Sequence, residues 1–229
     1  MKALILAGGH GSRMGESSQL LPKPMVDLCG RPILWHIMNH YVSNGIQESV
    51  VLGGHLVSKI TDYFSDPSNC PCHVTVLDTG LGTNTGGRVK AALEALNLDS
   101  PFHLTYGDGL SDVSVAAVEA KRNLMGCLAA VTGVHPPHRF GHLQPRTDGS
   151  VRVREHQDVS DVWVNGGFMA LSPQIAPFIH GPSDSLEAAL ERASSLHLVT
   201  MYAHDGFWKC IDNPRDLREM EQIMKGSDQ

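Results

Sequence analysis

The sequence predicts an α/β fold in which a mixed, mainly parallel sheet is covered by helices on both faces. The first observation is that short apolar runs recur along the first 135 residues, with helix-like segments between most of them. These runs are KALILA, SVVLGG, HVTVLD, FHLTYGD and CLAAVTGV. Alternation of this kind is typical of crossover units that join parallel strands. The second observation is that the pattern changes after about residue 138, which indicates a mixed second half.

Two helices of the first half carry clear boundaries. The segment RPILWHIMNHYVSNG has apolar residues at helical spacing and ends at Asn44-Gly45, which is a stop signal. The segment TGGRVKAALEALN is predicted as a second helix, which Thr85 opens.

The second half begins with a predicted hairpin, HLQPRTDGSVRVREH, with its turn at Asp148-Gly149. WVNGGFMALS and LVTMYAHDGFWKCID are predicted as further strands, and NPRDLREMEQIMK as a closing helix with Pro214 near its first turn. No repeat or linker separates the halves. We therefore expect one domain over 1–229, in which residues 136–229 complete a site begun by residues 1–135.

The bulk composition excludes several classes of protein. A net charge of −6 argues against a nucleic-acid binder that works through a general basic field. No run of about 18 apolar residues predicts a membrane span, and MKALILAGGH has no secretory pattern. The 5 cysteines form no CxxC pair, which argues against zinc and predicts free thiols in a reducing cytoplasm. The scattered histidines, including those of HPPHRFGH, also lack metal-ligand spacing.

The stretch LILAGGHGSRM, residues 4–14, is typical of a strand that feeds a phosphate-binding loop. A dinucleotide fingerprint requires a third glycine where this chain has Met14, and the second strand, VVLGGH, ends without an acidic residue. A P-loop requires Gly-Lys-Ser/Thr, which is absent. Phosphate binding and a glycine turn without a ligand both remain open from the loop alone.

Charged residues downstream favour phosphate binding. Arg13 lies in the loop, and prolines stiffen the backbone on both sides of Lys23 in LPKPM. Asp108 in TYGDGL and Asp212 in FWKCID each follow strand-like residues, where open α/β sheets bind ligands. Two such carboxylates fit a Mg²⁺ site that phosphates complete. Turn chemistry for Asp108 and helix capping for Asp212 are the simpler alternatives.

Together these motifs resemble the sugar-1-phosphate nucleotidyltransferases, also called NDP-sugar pyrophosphorylases. LAGGHGSRM followed by LPKPM resembles their signature. GRPILWHIM, TGGRVK, TYGDGLSDV, PPHRFGHL, VNGGFMAL and GFWKCIDNPRD resemble the glucose-1-phosphate cytidylyltransferase branch, in order from Met1 to about Asp216.

The resemblance implies the Rossmann-like α/β/α fold of nucleotide-diphospho-sugar transferases. It also implies a Mg²⁺-dependent, in-line attack of a sugar 1-phosphate on the α-phosphorus of an NTP, with CTP as the expected nucleotide. The catalytic residues implied are Arg13, Lys23 and Asp108, and the metal ligands are Asp108 and Asp212. The nucleotide-binding residues implied are Leu6, Ala7, Gly8, Gly9, Gly11, Ser12, Arg13, Lys23, Thr85, Gly86, Gly87, Arg88 and Gly107.

The resemblance also implies a sugar-phosphate side. Its residues are Tyr106, Glu155, Asn165, Gly166, Gly167, Trp208 and Lys209. The chain departs from the family where His156 and Gln157 replace a Lys-Pro pair after Glu155, and Lys209 is the candidate for the missing cation. Residues 63–76 are also shorter than the family pattern, so a homo-oligomer is only one possible assembly.

Two alternatives remain open at this point. A non-catalytic relative that binds a nucleotide sugar would explain the replaced Lys-Pro, although such relatives commonly lose their metal ligands and both are present here. An NAD-dependent oxidoreductase is opposed by Met14 and by the acid-free second strand. Neither a nucleic acid nor a membrane is expected as a partner.

Overall fold

The computed structural model describes residues 1–9, 11, 20–136, 142–147, 150–154 and 162–227. Its strands are β1 (Ala3–Leu6), β2 (Asp27–Leu28), β3 (Arg31–Pro32), β4 (Glu48–Gly53), β5 (His73–Asp78), β6 (Phe102–Tyr106), β7 (Gly109–Ser111), β8 (Ala129–Val134), β9 (His142–Pro145), β10 (Val151–Arg154), β11 (Val164–Asn165), β12 (Met169–Leu171), β13 (Val199–Ala203) and β14 (Trp208–Cys210). Its α-helices are α1 (Ile33–Ser43), α2 (Val57–Phe64), α3 (Thr85–Ala95), α4 (Val115–Met125), α5 (Leu186–Ser194) and α6 (Pro214–Ser227).

The main sheet of this described part has eight strands. Along most of it the order is β11-β8-β12-β6-β1-β4-β5, and β13 also pairs with β8. β1 is parallel to β4 and β6, β4 to β5, and β8 to β13. β11 and β12 run antiparallel to their neighbours. The prediction of a mixed, mainly parallel sheet is therefore confirmed.

The core lies on both faces of the sheet. In β1, Ala3 and Ile5 pack into one apolar cluster, and Leu4 and Leu6 pack into the other. Apolar side chains of α1 and α4 contribute to the first cluster, whereas those of α3 and α5 contribute to the second. A central strand buried on both faces explains why KALILA is continuously apolar rather than alternating.

The second half differs in detail from the sequence prediction. β9 and β10 form the predicted hairpin, whose turn lies outside the described residues. WVNGGFMALS is divided into β11 and β12, because Gly167 (φ 78°) and Phe168 (φ 44°) adopt left-handed backbone conformations that interrupt pairing. LVTMYAHDGFWKCID is likewise divided: β13 joins the main sheet and β14 pairs with β7. The closing helix is confirmed as α6.

The β7–β14 pair brings the two predicted metal ligands together. β14 runs antiparallel to β7 with Cys210 opposite Gly109. The amide of Ile211 donates to the carbonyl of Asp108 at 2.8 Å, so the pairing continues past the strand ends. Asp212 therefore lies beside Asp108 although the two are far apart in the chain. Across the described helices, none combines the length and the apolar character that crossing a bilayer requires.

The start of α3 packs against the segment 182–185 through two glycines. A Cβ on Gly87 would lie 2.3 Å from the carbonyl oxygen of Pro182, and one on Gly86 would lie 2.9 Å from the carbonyl oxygen of Asp184. The amide of Gly87 donates to that carbonyl of Asp184 at 3.2 Å. The two glycines therefore allow a helix and a loop backbone to approach closely.

We expect Gly87→Ala to lower the free energy of unfolding by about 1–3 kcal/mol, because the new methyl group collides with backbone atoms that cannot rotate away. Helix propensity alone would favour alanine by about 1 kcal/mol. The sign of the change in the free energy of unfolding therefore shows whether the collision or the helix propensity dominates. Urea denaturation gives the measurement. Gly82→Ala, whose Cβ would meet nothing within 4 Å, is the control and is expected to keep wild-type stability. A stabilised Gly87→Ala protein would contradict the close approach.

Candidate active site

A cavity of about 750 Å³ opens at the carboxyl ends of β1 and β6, where parallel sheets bind ligands. Its walls come from the glycine loop, the start of α3, the residues after β6 and Asp212. The predicted site residues that line it are Leu6, Ala7, Gly8, Gly9, Gly11, Lys23, Thr85, Arg88, Tyr106, Gly107, Asp108 and Asp212. Ser12, Arg13 and Glu155 lie outside the described residues.

Lys23 bridges the two aspartates at one end of this cavity. Lys23 is the first residue of a short 3₁₀ turn, Lys23–Met25. Pro22 precedes the lysine, and Pro24 follows it within the turn. Its Nζ lies 2.8 Å from Oδ2 of Asp108 and 2.7 Å from Oδ1 of Asp212. Burial alone would lower the pKa of Lys23, but the two carboxylates outweigh it and the pKa is raised. The ammonium group is therefore charged and is held by two anions.

The side chain that accepts from the first amides of α6 belongs to Asn213, whereas the side chain of Asp212 contacts Lys23. Asn213 Oδ1 accepts from the amides of Arg215 and Asp216, so Asn213 supplies the capping contacts that the sequence allowed Asp212 to make. Asp216 Oδ2 in turn accepts from the backbone amide of Asp212 at 3.0 Å. This Asx-type turn fixes the backbone of residue 212 while its carboxylate faces Lys23.

The donor set fits a hard divalent cation. One potential ligand atom from each of Asp108, Cys210 and Asp212 lies within 4.8 Å of the others. Burial, followed by the nearby aspartates, raises the pKa of the Cys210 thiol to about 12, so the thiol is protonated at neutral pH while no cation is bound. Two carboxylates remain, and oxygen is the ligand that Mg²⁺ prefers. Nζ of Lys23 contacts one oxygen of each carboxylate, so a cation that binds these same two oxygens would displace it.

Arg88 lies under the cavity floor and ties three backbone segments together. Its guanidinium, in a residue only 4 % exposed, donates to the carbonyls of Gly8, Gly53 and Gly80 and to Oγ1 of Thr79. A Cβ on Gly8 would lie 2.1 Å from Cζ of Arg88, so this glycine leaves room for the guanidinium. Arg88 thus holds the glycine loop through the Gly8 carbonyl and also lines the cavity, and its expected part in nucleotide selection stays a prediction.

The residues predicted for the sugar side form a hydrogen-bonded rim. Nδ2 of Asn165 donates to Oη of Tyr106 at 3.2 Å, and Oδ1 of Asn165 accepts from the amide of Gly167. Nε1 of Trp208 donates to the carbonyl of Gly166 at 2.8 Å. Gly166 also lacks space for a side chain, because a Cβ would lie 2.7 Å from Val134 Cγ1.

Lys209 is not brought into the cavity. Its Nζ lies 2.7 Å from Oε2 of Glu219 on α6, whereas its strand neighbours Trp208 and Cys210 face the site. Side chains alternate along a strand, so the residue between two site-facing residues points away. Gly86 and Gly87 also lie outside the cavity lining, since they pack against residues 182–185.

One residue that the sequence did not single out lies at the same rim. Glu187, in the first turn of α5, accepts a hydrogen bond from the phenol of Tyr106 at 2.5 Å. In the sequence, SLEAALER is an ordinary amphipathic helix start, and nothing local marks its glutamate. Only the packing of α5 beside β6 and α3 brings it to the cavity.

Comparisons with known proteins show the family of the chain. Residues 3–120 match the model of the MobA-like NTP transferase domain, which is more than half of the chain. The chain is 35% identical to glucose-1-phosphate cytidylyltransferase of Salmonella typhimurium, over 97% of this chain and 95% of that protein. The present chain therefore belongs to the family of MobA-like NTP transferases, which are nucleotidyltransferases. Nucleotidyltransferases of this kind generally use a divalent metal.

A second relative and a solved structure agree with this assignment. A probable glucose-1-phosphate cytidylyltransferase of Bacillus subtilis is 32% identical over 97% of this chain and 96% of its own length. The structure of HddC from Yersinia pseudotuberculosis complexed with GMP-PN superposes with a TM-score of 0.73, covering 97% of this chain and 99% of that one. At 22% identity it shows the shared fold. Membership of this family decides against the NAD-dependent alternative.

We expect Lys23→Met to increase the affinity for Mn²⁺, used as a spin-active probe cation, when no nucleotide is present. Removing the ammonium group leaves two carboxylates without their counter-charge, so the site should bind the ion at least roughly tenfold more tightly. Titration followed by electron paramagnetic resonance at low salt measures this affinity directly.

Lys209→Met is the matched control, because that ammonium pairs with Glu219 instead. Its affinity for Mn²⁺ should equal that of the wild type. If Lys23→Met binds the ion no more tightly than Lys209→Met, the two carboxylates are not the cation site.

Proposed function

We propose that the protein joins an NTP, preferentially CTP, to a sugar 1-phosphate, giving an NDP-sugar and pyrophosphate. Glucose 1-phosphate or a related hexose or heptose 1-phosphate is the proposed acceptor. The observation that carries the proposal is the Lys23 ammonium held between Asp108 and Asp212 at the end of a glycine-walled cavity. The curated relatives at 32% and 35% identity, which are cytidylyltransferases by name, support the choice of substrates.

The reaction requires no protein nucleophile. A phosphate oxygen of the sugar 1-phosphate forms a bond to the α-phosphorus of the NTP, while the bond from that phosphorus to the bridging oxygen of pyrophosphate breaks. Catalysis then consists of alignment and charge neutralisation. The whole chain would act as one unit, since residues of both halves, from Leu6 to Asp212, line one cavity.

On the nucleotide side, the backbone amides of Gly8, Gly9, Gly11 and Ser12 would donate to phosphate oxygens. Arg13 would stabilise the departing pyrophosphate. Gly107, where a Cβ would lie 2.8 Å from the carbonyl oxygen of Leu6, allows the end of β6 to approach β1 at the cavity floor. Arg88 would keep the loop in register through its bond to the Gly8 carbonyl.

Lys23 would exchange partners during binding. In the described state its charge offsets one of the two carboxylate charges, and once displaced it would hold the α-phosphate region. Asp108 and Asp212 would bind Mg²⁺, which when present neutralises phosphate charge and aligns the two substrates. On the sugar side, Tyr106, Asn165 and Trp208 would line the acceptor, and Glu155, outside the described residues, is proposed to bind the sugar phosphate as well. Lys209 is left out of this proposal because its ammonium is paired with Glu219.

A pyrophosphate-release assay tests the proposal. The purified protein is given Mg²⁺, each of the four common NTPs and a panel of sugar 1-phosphates, and products are identified by mass spectrometry. We expect turnover to be fastest with CTP and a hexose 1-phosphate. Tight nucleotide-sugar binding without turnover for any pair would indicate a binding protein instead.

Asp108→Asn is expected to lower kcat by several orders of magnitude while the protein stays folded, because the amide is a poor ligand for a divalent cation. The rate of pyrophosphate release and the thermal unfolding of the variant are measured on the same preparation. Asp112→Asn, four residues further along, is the control: its carboxylate bonds to Nε2 of His204 and does not line the cavity. Comparable turnover in the two variants would mean that Asp108 holds no catalytic cation.

A further inference from the structure

A carboxylate at the cavity rim has no part in the roles proposed so far. Glu187 lies in the first turn of α5, where Ser185 caps the helix by accepting from the amide of Ala188 at 3.1 Å. The amide of Leu186 donates to Oγ1 of Thr85 at 2.8 Å, which attaches this turn to the start of α3. The backbone that carries Glu187 is therefore fixed relative to the cavity wall.

Two neutral side chains from neighbouring elements contact this exposed carboxylate. The phenol of Tyr106, on β6, donates to Oε1 at 2.5 Å, and Oγ1 of Thr85, on α3, lies 3.5 Å from Oε2. Asn165, on β11, extends the chain of contacts by donating to Oη of Tyr106. Tyr106 and Thr85 both line the cavity, so Glu187, an exposed residue, lies beside two of its lining residues.

The charge of Glu187 sets it apart from the other acidic groups of the site. Asp108 and Asp212 share the ammonium of Lys23. Within the described part of the chain, no basic side chain forms an ion pair with Glu187, and Arg192 on the same helix pairs with Asp184.

The hydrogen-bonding capacity left in this group is that of an acceptor. A carboxylate only accepts, and a phenol has one proton and two lone pairs. The phenol of Tyr106 donates its one proton to Glu187 and accepts from Asn165 with one of its lone pairs. A ligand that donates through hydroxyl groups therefore fits the rim, whereas an anionic ligand group meets a negative charge and finds no donor from these two side chains.

We infer that Glu187 is a specificity-determining residue that selects sugar 1-phosphates with a neutral, hydroxylated sugar and rejects those with a carboxylated sugar. The inference rests on the proposed function, because it assigns Tyr106 and its neighbours to the sugar side. It adds a residue and a substrate class: neutral hexose or heptose phosphates against uronic acid phosphates.

The test compares glucose 1-phosphate with glucuronic acid 1-phosphate, each with CTP and Mg²⁺, in the wild type and in Glu187→Gln. The glutamine keeps the length and one acceptor oxygen but removes the charge. We expect the wild type to prefer glucose 1-phosphate. In Glu187→Gln, the kcat/KM for glucose 1-phosphate divided by that for glucuronic acid 1-phosphate should be at least roughly tenfold smaller than in the wild type. The change should appear in KM for the sugar phosphate, with KM for CTP unchanged.

Glu191→Gln, one helical turn further along α5 and exposed, is the matched control and should keep the wild-type ratio. The inference is overturned if the ratio is unchanged in Glu187→Gln, if both substrates lose activity equally, or if KM for CTP changes instead. Calorimetric dissociation constants for the two sugar phosphates give the same ratio without turnover. An inactive wild type would therefore contradict the proposed function while the selectivity of Glu187 is still measured.

Discussion

The contact of one ammonium group with two carboxylates determines what the cavity can do. Asp108 and Asp212 would repel each other at their observed separation, and Lys23 between them removes most of that repulsion. The three groups together carry one negative charge. In the proposed function, a divalent cation would replace the ammonium group between the carboxylates, and the ammonium group would then bind phosphate.

At this site the fold brings together residues that are distant in sequence. Lys23 is 85 residues from Asp108 and 189 residues from Asp212. Parallel pairing of β1 with β6 aligns the glycine loop with the segment that carries Asp108, and antiparallel pairing of β14 with β7 brings in Asp212. Arg88 then fixes the loop from below through three carbonyls. Backbone contacts thus position the charged groups, and the glycines allow those contacts to be close.

The sequence predicted the parts of this arrangement that local physics determines. Apolar runs between helical segments predicted the layered fold, prolines predicted a stiffened backbone around Lys23, and strand-like residues before Asp108 and Asp212 predicted that both lie where such sheets bind ligands. It could not predict which way some side chains point. Lys209 faces Glu219 because strand alternation aims Trp208 and Cys210 at the cavity, and that parity depends on pairing with β7. Glu187 reaches Tyr106 only through the packing of α5, which no local motif encodes.

The most direct measurement is a crystal structure of the protein with CTP and Mg²⁺. We expect the ion to lie about 2.1 Å from an oxygen of each of the aspartates at 108 and 212. We also expect Nζ of Lys23 to have left at least one of them for a phosphate oxygen. An ion bound elsewhere, with the lysine still between both carboxylates, would contradict the exchange of Lys23 for a divalent cation.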